Sequence, residues 1–192
     1  MNTLTIVAID GAAREKSNTR RLVHALRPYF EKAGASLEVF DQLHNPLPIY
    51  DEREETSRNP SVRRLIELVG AADGIVLSSP EYHGSMSGAL KNALDWLSYL
   101  SDTQSVSGKV VGLVGGGASF ANSGAVVQMM MAVRALHAWL MPDIIVSVPN
   151  IWDAFTEDGE LRDEKLQERA KNFAANLTRY AEIFRTSFPA AA

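Results

Sequence analysis

The sequence predicts an α/β fold: a five-stranded parallel sheet in the order 2-1-3-4-5 with helices on both faces. Two observations carry this. Short, mostly β-branched apolar runs alternate along the chain with longer stretches of helical spacing, the pattern of successive β-α units. The apolar runs also lack polar alternation, as strands do when both faces of a sheet are covered. Right-handed crossovers leave few arrangements for that order of elements.

The first strand is read over Leu4 to Ile9, followed by a turn, "DGAAREKSNTRR", and a helix-like stretch from Thr19 to Phe30. Ser36 to Phe40 is the second strand. Asp41 to Arg58 then forms the longest irregular stretch, and its Pro46, Leu47, Pro48, Ile49 and Tyr50 make it too apolar for a merely solvated excursion. A long loop inside a compact domain is usually functional or interfacial. Asn59 and Pro60 open the next helix as N-cap and first helical residue. Gly74 to Ser78, Val110 to Val114 and Ile144 to Val148 supply the remaining strands. The segment "AVVQMMMAVRALHAWL", residues 125 to 140, reads as a helix apolar nearly all round. Past Gly159, Leu166, Ala170, Phe173, Leu177, Ala181 and Phe184 recur three or four apart, one face of an amphipathic helix. The tail from Ser187 to Ala192 is expected to fray.

With 192 residues and no repeat, low-complexity tract or linker, the chain reads as a single domain over 1–192. A net charge of −4 without a Lys/Arg stripe argues against nucleic acid. No cysteine is present, which removes disulfides, thiol nucleophiles, iron–sulfur clusters and cysteine zinc sites. His24, His44, His83 and His137 show neither metal-type spacing nor evident carboxylate partners, so no metal is expected. The absence of a signal peptide or a span-length apolar run points to a cytoplasmic protein without membrane association.

In open parallel sheets, ligands sit outside the carboxyl ends of the strands. Three loops qualify. The first carries Arg14, Ser17, Asn18 and Thr19 just ahead of a helix, where unpaired N–H groups and the helix dipole suit an anion. The second is Ser79 to Ser85, with Pro80, Glu81, Tyr82, His83 and Gly84; the third is Gly115-Gly116-Gly117-Ala118-Ser119. An anion site beside planar amide edges and an aromatic fits a phosphorylated planar heterocycle. No G-x-x-x-x-G-K-[ST] loop, first-strand G-x-G-x-x-G or G-x-S-x-G elbow competes with that reading.

"SSPEYHGSMSGALKNALDWL", residues 78 to 97, resembles the signature of the NADPH-dependent FMN reductase family, a flavodoxin-like group that includes azobenzene, quinone and chromate reductases. Gly11, Arg14, Ser17 and Arg20 match that family's first-loop pattern, and "GLVGGGASFANSG" is similar to its third flavin loop. Ala12 departs from the usual Ser or Thr, and His83 stands for the commoner Asn, as in the azobenzene-reductase branch. The resemblance implies a bound FMN with its phosphate on Arg14, Ser17, Asn18 and Thr19, for which a solvated Arg14 and plain helix capping by Ser17 and Thr19 are the alternatives. It implies that Pro80, Glu81, Tyr82, His83 and Gly84 line the isoalloxazine, Glu81 suiting equally a salt bridge to a neighbouring subunit. Gly115, Gly116 and Gly117 would close over the pyrimidine end, or form only a flexible turn. Lys91 and Asp95 read as surface or interface charges.

The implied activity is two-electron, ping-pong reduction of quinones, azo compounds or free flavin by NADPH or NADH, with FMN carrying the chemistry and no catalytic side chain. A flavodoxin-type electron carrier without its own NAD(P)H oxidation is the alternative. The all-round apolar segment at 125–140, with Trp96, Leu97 and Tyr99 beside it, predicts a symmetric homodimer, a single thick core being the alternative, and the resemblance implies a homodimer or homotetramer.

Overall fold

A computed structural model describes residues 3–100, 106–117, 123–149 and 151–187. β1 (Leu4–Asp10), β2 (Ala35–Asp41), β3 (Gly74–Tyr82), β5 (Val110–Gly117) and β6 (Trp139–Pro149) form a parallel sheet in the order β2-β1-β3-β5-β6. β4 (Ser85–Met86) adds an antiparallel hairpin strand to the end of β3. Leaving that hairpin aside, the order is the expected one. α1 (Asn18–Ala25), α2 (Arg27–Lys32) and α7 (Glu164–Ser187) cover one face; α4 (Pro60–Ala71), α5 (Gly88–Trp96) and α6 (Ser123–Ala135) cover the other, and α3 (Glu54–Ser57) is a single turn between β2 and α4.

Strand side chains alternate between two cores. Ile6, Ala8, Val76, Val110 and Val114 meet Leu22, Phe30, Phe173 and Leu177 on the first face. Val7, Ile9, Ile75, Leu77 and Leu113 meet Leu65, Leu90 and Met129 on the second. The edge strand β2 differs: Glu38 is exposed, since nothing flanks it on one side.

Several expected boundaries move. The helix from Thr19 to Phe30 is two helices, parted at Leu26, because Pro28 supplies no N–H to carry the first one on. β3 runs to Tyr82, and the Gly115-Gly116-Gly117 run is strand: these residues pair with Ser147, Val148 and Pro149 of β6. Ala118 and Ser119 of that predicted loop, and the tail beyond Ser187, lie outside the described residues. The apolar segment at 125–140 is not one helix either. α6 stops at Ala135, His137 takes a left-handed φ of 55°, and Trp139 opens β6. Trp96 and Leu97 are buried within the chain, so among the described residues Val127, Met131 and Trp139 are the large side chains of the expected apolar interface that stand open.

The Asn59 side chain caps α4 by accepting from the Ser61 N–H at 2.9 Å, as its place before Pro60 predicts. At the other end of α4, the Lys109 ammonium donates to the carbonyls of Val69, Gly70 and Ala72 at 2.7–2.9 Å. Burial pulls its pKa down to about 8, with Asp73 pushing it back up. Among the described residues, no helix is long and apolar enough to cross a membrane.

Candidate flavin site at the carboxyl edge

Strand register brings the predicted loops together. Asp10 of β1 pairs with Ser78 of β3, while Ser79 and Pro80 pair with Gly115 and Gly116 of β5. The chain leaves β1 through Gly11, whose N–H donates to the Ser78 carbonyl at 2.8 Å. A Cβ there would lie 2.7 Å from Leu90 Cβ and 2.8 Å from the Ser78 carbonyl oxygen, so only glycine fits. Ser87 fixes the same turn from α5: its hydroxyl donates to the Gly11 carbonyl at 2.7 Å and caps α5 by accepting from the Leu90 N–H.

The loop then rises to α1. Ser17 is buried and caps the helix, its Oγ accepting from the Arg20 N–H at 3.2 Å. That leaves the Ser17 proton free to be donated outward. No acidic residue sits in the first turn, and among the described residues nothing accepts from the N–H groups of Asn18 or Thr19. Arg14 is exposed on the loop. The Asn18 amide oxygen is within 3.4 Å of Arg21 at the surface, while Thr19 is buried against the tip of β5. A Cβ on Gly116 would sit 3.2 Å from Thr19 Oγ1 and would collide with Ile151. Thr19 and Ile151 therefore pack over Gly116, beside its strand partner Pro80, which closes β5 against the start of α1. A cleft of about 630 Å³ beside it follows α1 outward past Lys16 and Arg21 to Asp158 and Gly159.

Beneath the loop lies a cluster that sequence reasoning missed. The carboxylates of Asp10 and Asp41 stand side by side on adjacent strand ends. The Arg20 Nε lies 3.3 Å from Asp10 Oδ2 and 3.2 Å from Asp41 Oδ1. Its two terminal nitrogens donate to the carbonyls of Ala12, at 2.6 Å, and Glu15, at 3.1 Å. Asp10 is fully buried and accepts from the Ala12 N–H at 3.2 Å. Burial is the main cause that pushes its pKa up to about 7, aided by Asp41 and opposed by the Ala12 N–H and the Arg20 guanidinium. His44, expected to lack a carboxylate partner, has one in Asp41, with Nδ1 2.9 Å from Oδ2.

At the second loop, β3 turns back through His83 and Gly84, both with positive φ (53° and 72°), into β4. Two consecutive left-handed residues make the tight hairpin turn that matches strand twist. Tyr82 and His83 are exposed at its tip. Glu81 points back instead: its carboxylate accepts from the Ala125 N–H at 3.1 Å, near the start of α6, where negative charge suits the helix dipole. Gly124 packs directly on the Gly84 carbonyl, so the hairpin and α6 are held as one piece.

The long excursion after β2 is pinned to α5. Asn92 donates to the Pro48 carbonyl at 2.9 Å and accepts from the Tyr50 N–H at 2.8 Å, and the Trp96 indole donates to the same Pro48 carbonyl. Tyr50 meets Trp96 edge to face at 5.0 Å. Ile49, between these anchors, is 84% exposed. Lys91 and Asp95 pair with each other on the outer side of α5, at 2.6 Å.

The free N–H groups at the start of α1 and the Ser17 hydroxyl, beside the cleft along that helix, fit the phosphate end of a flavin nucleotide. Comparison with known proteins agrees. The model of the NADPH-dependent FMN reductase family matches residues 4–153. An NADPH azoreductase of Bacillus sp. (strain OY1-2) is 31% identical over 183 residues, covering 94% of this chain and 96% of that protein. An FMN-dependent NADPH-azoreductase of Staphylococcus aureus (strain USA300) is 32% identical over 178 residues, 90% of this chain and 92% of its own. Among solved structures, FerB, a flavoenzyme NAD(P)H:(acceptor) oxidoreductase from Paracoccus denitrificans, shares the fold with a TM-score of 0.78 at 23% identity, over 94% of this chain and 98% of its own. With a flavodoxin-like sheet and a family match over most of its length, the chain belongs to the NADPH-dependent FMN reductase family of FMN- and NADPH-using oxidoreductases.

Proposed function

We propose that the protein is an FMN-dependent NADPH oxidoreductase that reduces azo compounds, and quinones by the same route, in a ping-pong cycle, with residues 1–192 working as one FMN-binding domain. Bound FMN supplies the two-electron chemistry, accepting from NADPH and passing on to the acceptor. The chain's own part is to bind and orient. Arg14, Ser17, Asn18 and Thr19 hold the phosphate; Pro80, Glu81, Tyr82, His83 and Gly84 border the ring; Gly115, Gly116 and Gly117 bring strand backbone to its pyrimidine end. Glu81 acts through its bond to the Ala125 N–H, steadying the hairpin that borders the ring. No side chain is assigned a proton-transfer role. The observation that carries this reading is the N-terminus of α1, where Ser17, Asn18 and unpaired N–H groups meet the cleft that runs outward along the helix.

Azo compounds are favoured as acceptors because the two relatives above are azoreductases. The exposed Val127 and Met131 on α6 support a homodimer or homotetramer, less extensively than the whole 125–140 segment would. Steady-state NADPH oxidation by FMN-loaded protein, with an azo dye, a quinone and free FMN as competing acceptors, tests the assignment. Parallel double-reciprocal lines with the azo dye, and a kcat/KM for it at or above that for free FMN, are expected. Tight FMN binding without NADPH oxidation would assign the protein to electron carriage instead.

A further inference from the structure

We propose that Arg20, although it is largely buried in the wall of the cleft, is the positioning residue for the flavin phosphate: it turns the first loop so that backbone N–H groups, and no carbonyls, face the anion. The inference rests on the phosphate seat proposed above. Arg20 is 8% exposed, and its charge is met by Asp10 and Asp41, so it is not placed to pair with the phosphate itself. What it does hold is the loop, at two points. The Ala12 and Glu15 carbonyls, on the two limbs of the turn, both point inward to the guanidinium.

The consequence follows from peptide geometry. In a trans peptide unit the C=O of one residue and the N–H of the next point in opposite directions. Drawing the Ala12 carbonyl inward therefore turns the Ala13 N–H outward, and drawing the Glu15 carbonyl inward turns the Lys16 N–H outward. Among the described residues nothing accepts from either N–H. Two carbonyl dipoles that would repel a phosphate are removed from the seat, and two N–H dipoles that attract it join those at the start of α1. Here the planar fork of arginine is needed. It spans two carbonyls while its Nε side meets two carboxylates, which a single ammonium cannot do. Asp10 completes the frame by accepting from the Ala12 N–H, which fixes the preceding peptide unit, Gly11–Ala12.

The test compares FMN with riboflavin, which lacks the phosphate, by fluorescence quenching on apo-protein, for the parent and for Arg20→Lys. The parent should bind FMN far more tightly than riboflavin. Arg20→Lys should weaken FMN by about tenfold or more while leaving riboflavin within about threefold, because only the phosphate seat is lost. Equal losses for both ligands, or no loss for FMN, would overturn the inference. A parent that binds both ligands equally would overturn the phosphate seat and this inference with it. Should Arg20→Lys fail to fold, amide hydrogen exchange on the parent decides. Added protection of the Ala13 and Lys16 N–H groups with FMN but not with riboflavin is expected, and unchanged exchange at both would refute the proposal.

Discussion

Asp10 sits at the tip of β1 with no exposed surface, faced by Arg20 from α1, Asp41 from β2 and Ser78 from β3, while His44 lies on the far side of Asp41. Its pKa, raised from 3.8 to about 7, means that the folded protein keeps a proton which the unfolded chain releases. Between those values the folded state binds more protons, so stability falls as pH rises, by up to about 1.4 kcal/mol per pH unit, and levels off above the folded pKa. Thermal melting of the apo-protein from pH 5 to 8 should show this decline. Asp10→Asn should flatten it, and a parent curve that rises across the interval would contradict the assignment. The helix start at Ser17, Asn18 and Thr19 was legible in the sequence because it announces itself within a few neighbouring residues. Asp10, Arg20 and Asp41 were not, because their cluster exists only once β1, α1 and β2 are packed, and a charged side chain gives no local sign of being buried.

At the scale of elements, strand positions were readable from apolar runs, and their ends were not. β3 and β5 continue past their apolar residues as Ser79–Tyr82 and Gly115–Gly117, since ladder hydrogen bonds to neighbouring strands hold backbone that local preference would leave as loop. Pro28 split the first helix for the opposite reason, a local defect that packing did not repair. The excursion after β2 shows how a loop too apolar for solvent becomes part of the framework. Asn92 makes two hydrogen bonds to it, at Pro48 and Tyr50. Asn92→Ala leaves the Trp96 bond to Pro48 and removes both of the others, and should cost about 1–3 kcal/mol. Urea unfolding should show the midpoint moving with an unchanged slope, and proteolysis within residues 46–53 should quicken. Cleavage no faster than in the parent would mean that Trp96 and the Tyr50 ring contact suffice alone.

On the scale of the whole molecule, the sheet order follows from alternating elements and crossover handedness, and register then brings Gly11, Pro80 and Gly116 to one edge. Assembly was less readable. An apolar count over 125–140 merges the end of α6, a left-handed turn at His137 and the start of β6, and counts side chains such as Met129 and Val133 that the chain buries itself. The central claim is that this edge seats an FMN which NADPH reduces. Anaerobic mixing of the FMN-loaded protein with one equivalent of NADPH tests it most directly, followed by addition of an azo dye. Full bleaching of the flavin absorbance by NADPH, and its full return as the dye is decolourised, are expected. Flavin that stays oxidised in the presence of NADPH would contradict it.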